Sequence, residues 1–356
     1  MLNDRDNLTF LRRYLLNMKT GSFKIRFKFE LMACYHDLPL IIYNQYRLMS
    51  LLVVGSVAYD GIETPFGKTD RVLGGSATYI ALTSSFFTDD VRLVGVVGND
   101  FREEDIALFN NRSIDTEGLQ VDDSGNTFFW KGKYHYDLNK RDTLDTQLNV
   151  FEKFNPVIPK DCQRCKYIAL GNIEPSLQEM VLDQVENPGL VVMDTMNFWI
   201  EGTPDALKKT LKRVNMLVVN DSEARELTEE PNLLKAAEKI REMGPEYLII
   251  KKGEHGALLF SGGEIFSAPA YPVVDIFDPT GAGDTFMGGL LGWISYTDDL
   301  SPQNMRRAVI FGSVMASFCV EQFGPERLKT LNENEIYERY KEFQQLSAIP
   351  GVEVQL

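Results

Sequence analysis

The 356-residue chain is poor in the residues that build metal cages and disulfide frameworks: it has four cysteines and three histidines. Four cysteines in a chain this long are too sparse for a disulfide scaffold, so a reduced, cytoplasmic setting is expected. Cys162 and Cys165 have the spacing of a zinc half-site, but no second CxxC or paired histidines completes it. Ordinary thiols ahead of the apolar run YIALG account for them. No run of 18 uncharged apolar residues occurs, which excludes a membrane-spanning helix of ordinary length. Basic residues are in deficit, with 37 Lys and Arg against 51 Asp and Glu and a formal charge of −14. That balance argues against nucleic acid and anionic membranes as partners, and leaves a small polar molecule. Both common mononucleotide motifs are missing as well: there is no GxxxxGK[ST], and the first strand is followed by GSVAYDG rather than GxGxxG.

What is present is a regular alternation. LLVVGS (51–56), VRLVGVVG (91–98), KYIALG (166–171), LVVMD (190–194), MLVVN (216–220) and YLIIKKG (247–253) are short, continuously apolar runs that end in Gly, Asn or Asp. Such runs predict strands covered on both faces. Helices are expected over 76–87, 100–111, 175–186, 203–213 and 231–243, giving a doubly wound, mostly parallel α/β sheet. TPFGKTDRVLGG (64–75) and TFFWKGKYHYDL (127–138) break the pattern and predict a small β-sheet lid, from segments near 59–75 and 120–140. A surface hairpin or a dimer contact is the competing account. Further on, GALLF, GEIFSAP and PVVDIFD look antiparallel, followed by helices over 281–296, 302–319 and 333–345. Residues 1–48 are locally basic and aromatic, without a cleavage signal, and are expected to be either a translated upstream stretch or an extension ahead of a domain that begins at Met49.

The stretch DPTGAGDTF (278–286) raises a chemical question. Gly281 and Gly283 at a helix start allow backbone amides to converge on negative oxygens, aided by the helix dipole. Asp284 then stands in the first turn. A carboxylate there is wrong for holding phosphate statically and right for taking a proton from a hydroxyl that attacks phosphorus. An aspartate that only favours the helix terminus fits the spacing equally.

DPTGAGDTF, together with VLGGSATYIALTSSFF and VRLVGVVGND (72–100) and the order of VVNDSEARELT and YLIIKKGEHGALLF, resembles the ribokinase or PfkB family of carbohydrate and nucleoside kinases over roughly the last 300 residues. The resemblance implies a ribokinase-like fold and phosphoryl transfer from ATP to an alcohol. It implies Asp284 as catalytic base, with Gly281, Ala282 and Gly283 as anion hole. Asp60, at the end of the first strand, matches the position that grips acceptor hydroxyls, and Gly74 and Gly75 match the di-glycine that admits substrate to the backbone, with Thr78 a further substrate contact; Arg141, which follows the lid segment, is placed to reach a substrate or ATP phosphate, a solvent-facing Arg fitting the sequence equally. The family often has Asn a few residues after the di-glycine, where this chain has Ser76, Ala77 and Thr78, which speaks against ribose recognition. A turn before Gly61 and a tight turn before a capped helix are the plain alternatives. Asn220 and Glu223 match the element that organises Mg²⁺ and its waters, while also reading as a helix cap. Lys252 and Gly253 fall where nucleotide phosphate or ribose binds, Ser313 and Ser317 border the adenine pocket, and Asp278 and Thr280 resemble the ligands of a K⁺ site.

A sugar or sugar-like polyol is the first expectation for the acceptor. A nucleoside is the alternative, because Phe128, Trp130 and Tyr134 make the lid aromatic. From another class, a non-catalytic sensor on the same fold competes, but the joint presence of Asp60, Gly74-Gly75, Asn220/Glu223 and GAGD counts against it. Pairing of lid strands across a two-fold axis predicts a homodimer.

Overall fold

The structure, a computed structural model, describes residues 50–346 and 348; the expected extension over 1–48 lies outside the described residues. A nine-stranded sheet forms the frame. Its strands are β1 (Leu51–Val54), β4 (Val91–Gly98), β5 (Ile114–Asp122), β8 (Tyr167–Leu170), β9 (Leu190–Asp194), β10 (Met216–Asn220), β11 (Tyr247–Lys251), β12 (Ala257–Ser261) and β13 (Glu264–Ala268), in the order β13-β12-β11-β10-β9-β8-β1-β4-β5. All neighbouring pairs are parallel except β11–β12 and β12–β13.

Continuous apolar strands sort into two cores because successive side chains leave opposite faces. Leu51 and Val53 join Val192, Val218 and Ile249 beneath α1 (Ser76–Ser84), α8 (Ala282–Thr297) and α9 (Pro302–Cys319). Leu52 and Val54 join Met193, Leu217, Val219 and Ile250 on the other side, against α3 (Pro175–Leu182), α5 (Pro204–Leu211) and α7 (Leu233–Glu242). Proline opens α3, α5 and α9, where its missing N–H leaves no intrahelical bond unmade. Shorter helices complete the chain: α2 (Glu103–Asn111), α4 (Asn197–Gly202), α6 (Asp221–Thr228), α10 (Glu326–Thr330) and α11 (Glu333–Leu346).

A second sheet of four strands, β3-β2-β6-β7, stands as the lid: β2 (Ala58–Thr64), β3 (Gly67–Gly74), β6 (Phe128–Tyr134) and β7 (Arg141–Gln147). Three expectations need correction and one strand is unforeseen. Asp60 is not at the end of β1 but inside β2, paired with Val72 and Trp130, because Gly55, Ser56 and Val57 interrupt the strand. The lid extends past 140 through β7, a strand exposed along its whole length whose polar sequence carries no apolar alternation. Residues 114–122, lacking a continuous apolar run, nevertheless form the β5 edge of the main sheet. PVVDIFD does not form a strand; its end is held by Phe277 and Asp278 amides that donate to the Val320 carbonyl at 2.8 and 3.3 Å.

Helix α8 lies in the upper core with Met287, Leu290 and Leu291 fully buried. Leu290→Ala is expected to cost about 2–5 kcal/mol by leaving a cavity. A urea-unfolding midpoint lowered with an unchanged slope is the expected result.

Candidate active site

Three neighbouring strands end on polar side chains at one edge of the sheet: β9 on Asp194, β10 on Asn220 and β11 on Lys251, with Asn220 and Lys251 directly paired. The carboxyl edge of a parallel sheet is where doubly wound folds present ligand-binding groups, because helices follow and their N-termini face it. Helix α8 starts there. Gly281 caps it in the left-handed region (φ 75°), a conformation that Cβ disfavours, and the Tyr79 ring lies where a Cβ would stand, 2.4 Å away.

Asp284 occupies the first turn of α8, and its Oδ1 is shut off from solvent without a hydrogen-bond partner among the described residues. Burial first, then the charge of Asp194, pushes its carboxyl up to about 7, against the opposing pull of Lys251 and Arg141. Of the three amides expected to form the anion hole, that of Ala282 donates to the Pro279 carbonyl at 3.2 Å. This corrects the expectation for Ala282: its N–H is already engaged, and the amides of Gly281 and Gly283 are the ones without an acceptor among the described residues.

Asp60 reaches the same place from the lid. It is 5% exposed, accepts a hydrogen bond from the Gly75 amide, and is pushed up to about 8 by burial and by the charges of Asp278 and Asp284. Its Oδ2 lies 2.0 Å from where a Cβ on Gly74 would stand. Only glycine therefore fits beside this carboxylate. Arg141, exposed on β7, acts electrostatically on Asp60, Asp194, Glu223 and Asp284 together, so the lid brings its cation toward the whole acidic group.

Asn220 and Glu223 form a capping box at the head of α6: Glu223 N–H donates to Asn220 Oδ1, and Asn220 N–H donates to Glu223 Oε2, both at 2.8 Å. The box consumes one Glu223 oxygen. Burial and the charge of Asp194 still push the Glu223 carboxyl up to about 7. Asp194 and Glu223 are thus two hard oxygen donors with mutually unfavourable charge, a donor set that suits Mg²⁺ held partly through water.

Other expected residues lie around this centre in unequal ways. Asp278 is fully buried, its Oδ1 accepting from the Thr280 amide at 2.8 Å and its Oδ2 from the Gly324 amide at 2.9 Å. Thr280 Oγ1 donates to the Tyr134 hydroxyl of the lid at 3.1 Å. Both groups are therefore engaged in holding loop and lid. Gly253 (φ 53°) lies against the lid residue Asn139, whose Nδ2 donates to Glu254 at 2.8 Å. Thr78 is wholly buried within α1, away from solvent, and its Oγ1 lacks a partner among the described residues. Ser313 is buried in α9. The Ser317 hydroxyl donates to the Val314 carbonyl at 2.6 Å and accepts from Arg339 at 3.1 Å, a helix-packing role. Cys162 and Cys165 are buried free thiols. Among the described residues, no cluster of three or more His, Cys, Asp or Glu side chains could hold a metal ion.

Two members of the site escaped the sequence reading. Asp194 stood in plain view as the terminus of an apolar run but had no spacing to mark it. Lys251 was passed over in favour of Lys252. Side chains alternate along a strand, so a shift of one residue changes the face. Lys251 points into the acidic group, with Nζ 3.9 Å from Asp194 Oδ2, whereas Lys252 uses its backbone amide to bond the Gly256 carbonyl at 2.7 Å and joins no ion pair among the described residues.

The pH dependence of stability follows from Asp60. Its carboxyl in the fold ionises near 8, far above the usual carboxylate range, so the folded state binds a proton that the unfolded chain releases near 4. Stability is lost as pH rises from about 4 toward about 8. Asp60→Asn removes this burden, and its Tm advantage over the wild-type chain is expected to grow between about pH 5 and pH 9 in thermal unfolding. A constant difference would mean that the carboxylate is solvated in the folded protein.

Comparison with known proteins places the fold and the family. The family model described as pfkB family carbohydrate kinase matches residues 50–330. The cytidine kinase of Thermococcus kodakarensis is 28% identical over 253 residues, which cover 70% of this chain and 89% of that protein. The inositol 3-kinase of Arabidopsis thaliana is 24% identical over 291 residues, covering 77% of this chain and 74% of that one. Among solved structures, the nucleoside kinase of Burkholderia thailandensis in complex with inosine superimposes with a TM-score of 0.68 at 21% identity, over 82% of this chain and 97% of its own, a likeness of fold. With its doubly wound sheet, four-stranded lid and glycine-opened helix carrying Asp284, the chain belongs to the pfkB family of kinases.

Proposed function

We propose that the protein transfers the γ-phosphoryl group of ATP to a hydroxyl of a sugar or sugar-like polyol, with Asp284 as general base. The observation that carries this is the unpartnered, water-excluded Asp284 Oδ1 at the head of a helix whose Gly281 and Gly283 amides have no acceptor among the described residues. The acceptor hydroxyl gives its proton to Asp284, and its oxygen forms the new O–P bond. The bond from the γ-phosphorus to the bridging oxygen breaks, its electron pair leaving on ADP. The two glycine amides and the α8 dipole meet the equatorial oxygens as charge develops. Asp60 receives neighbouring hydroxyls of the acceptor and fixes which one faces the base. Arg141 supplies positive charge from the lid side.

Asp194, Asn220 and Glu223 would hold Mg²⁺, directly or through water, and the ion supplies charge neutralisation of the nucleotide phosphates. Asp278 and Thr280 would support K⁺ only indirectly, by shaping the loop, since their side chains already bond within the protein.

The polyol reading is supported by what the lid aromatics do. Tyr134 is buried and bonded to Thr280, and Phe128 stacks on Phe151 with centroids 5.3 Å apart. Tyr134 offers no free face to a nucleobase, one face of Phe128 is taken by Phe151, and the partly exposed Trp130 packs against the cluster of Ile62, Val72 and Tyr134 with Arg141 over its ring. A nucleoside acceptor is the second reading, favoured by the likeness to a cytidine kinase along most of that protein's length and by Phe198, 61% exposed beside Trp199 just after β9.

Asp284→Asn is expected to lower kcat by about 10²–10⁴-fold with little change in the KM for ATP. In wild-type enzyme, kcat/KM is expected to fall as pH drops through about 7, since the base must be ionised and burial holds its proton. Following ADP release with Mg²⁺-ATP across sugars, cyclitols and nucleosides checks the acceptor class. A response confined to nucleosides would replace the polyol reading with the second one.

A further inference from the structure

Lys251 is a largely covered cation of this site, and the resemblance that motivated Asp284, Asn220 and Glu223 gives it no role. Its side chain is 17% exposed, at the end of β11. Three carboxylates, Asp194, Glu223 and Asp284, act on it; burial alone would lower its pKa, and their combined charge raises it, so the ammonium form is secured. It does not form a close pair with any of them. Its one ion-pair contact is long, 3.9 Å to Asp194 Oδ2. The Nζ instead lies 2.8 Å from the point where a Cβ on Gly283 would stand. A side chain at 283 would collide with the ammonium, so glycine there admits Lys251 to the loop whose amides face the ligand. A cation that fills the space left open at Gly283, while its one counter-ion contact is long, has the placement of a group meant for an incoming negative charge.

We propose that Lys251 is a catalytic residue that contacts the transferring γ-phosphoryl group, supplying to the Gly281–Gly283 loop the positive charge that two amides alone do not carry. The proposal rests on the kinase reading above and adds a group to it. With the Ala282 amide donating to Pro279, the loop offers few donors to the three equatorial oxygens of the moving group. An ammonium with three N–H donors at Gly283 makes up the number. Charge spreads over those oxygens in the transition state, so the benefit falls on kcat more than on ground-state nucleotide affinity.

The test compares Lys251→Met and Lys251→Arg with the wild-type enzyme, measuring turnover and, by calorimetry, the affinities for ADP and for ATP with Mg²⁺ present. Lys251→Met is expected to lose about 10²–10³-fold in kcat, as when one donor to a developing oxyanion is removed, and to lose ATP affinity more than ADP affinity. Lys251→Arg, which keeps the charge, is expected to recover much of the turnover. Should the Met variant fail to fold, Lys251→Gln provides a neutral side chain with a polar head for the same comparison. A lysine that merely balances Asp194 and Glu223 would change Tm and affect ADP and ATP alike. Turnover within about threefold of wild type in a folded neutral variant, or equal losses of ADP and ATP affinity, overturns the proposal while leaving the kinase reading intact. Absence of phosphoryl transfer by the wild-type enzyme across the acceptor panel overturns both.

Discussion

The constraint on which the site depends is the crowding of carboxylates out of water. Asp60, Asp194, Glu223 and Asp284 are each held above the ordinary carboxylate range, chiefly by burial and then, for all but Asp194, by a neighbouring acidic charge. No need of packing calls for such a group. A fold seeking only stability would place apolar side chains there, since buried charge is costly unless well paired. The cations present are too few and too distant to cancel the repulsion. Such an arrangement suits a site that waits for a ligand, and on the proposed reading that would be hydroxyls for Asp60, a proton for Asp284, and a phosphate with its metal for the rest.

Burial of this kind also explains the division of labour among chemically identical side chains. Asp60 and Asp284 differ in what surrounds them. Asp60 accepts a backbone amide and lies flush against Gly74, which leaves its remaining lone pairs for hydroxyl donors. Asp284 keeps one oxygen without a donor, and the charges of Lys251 and Arg141 favour its ionised form. The first is suited to grip, the second to accept a proton. The chain achieves this with backbone geometry more than with side-chain variety.

Much of this was legible in the sequence, and the gaps have physical reasons. The apolar strands were readable because burial on both faces imposes uninterrupted hydrophobicity, and GAGD because DPTGAGDTF resembles a family signature, its spacing alone fitting a plain helix start equally well. Strand β7 was not, since a lid edge facing solvent needs no apolar pattern. Nor was β5, whose residues are only partly covered. Asp60 lies on β2 and not on β1 because Gly55, Ser56 and Val57 end the first strand, a break too short to read as a turn in the sequence. Lys251 shows the sharpest limit. Two adjacent lysines are equivalent in composition, and only the pleat of β11 decides which one enters the site.

Two of the ties between lid and body lie at the site, others running from Tyr59 to Asp105 and from Arg71 to Asp100. Tyr134 of β6 meets Thr280, two residues after Asp278 and immediately before the Gly281 cap, while Asn139 in the β6–β7 turn meets Glu254 beside Gly253. Asp60 sits on β2, the strand paired to β6 in register, with Asp60 opposite Trp130. Movement of the lid would therefore carry the acceptor's carboxylate, the cation of Arg141 and a strut of the anion loop together. A sheet is stiff along its hydrogen-bonded ladder, so these groups shift as one body. Under the proposed reaction, closing on the acceptor would coincide with bringing the loop to its final shape and would exclude water as the base and the phosphoryl donor come into line.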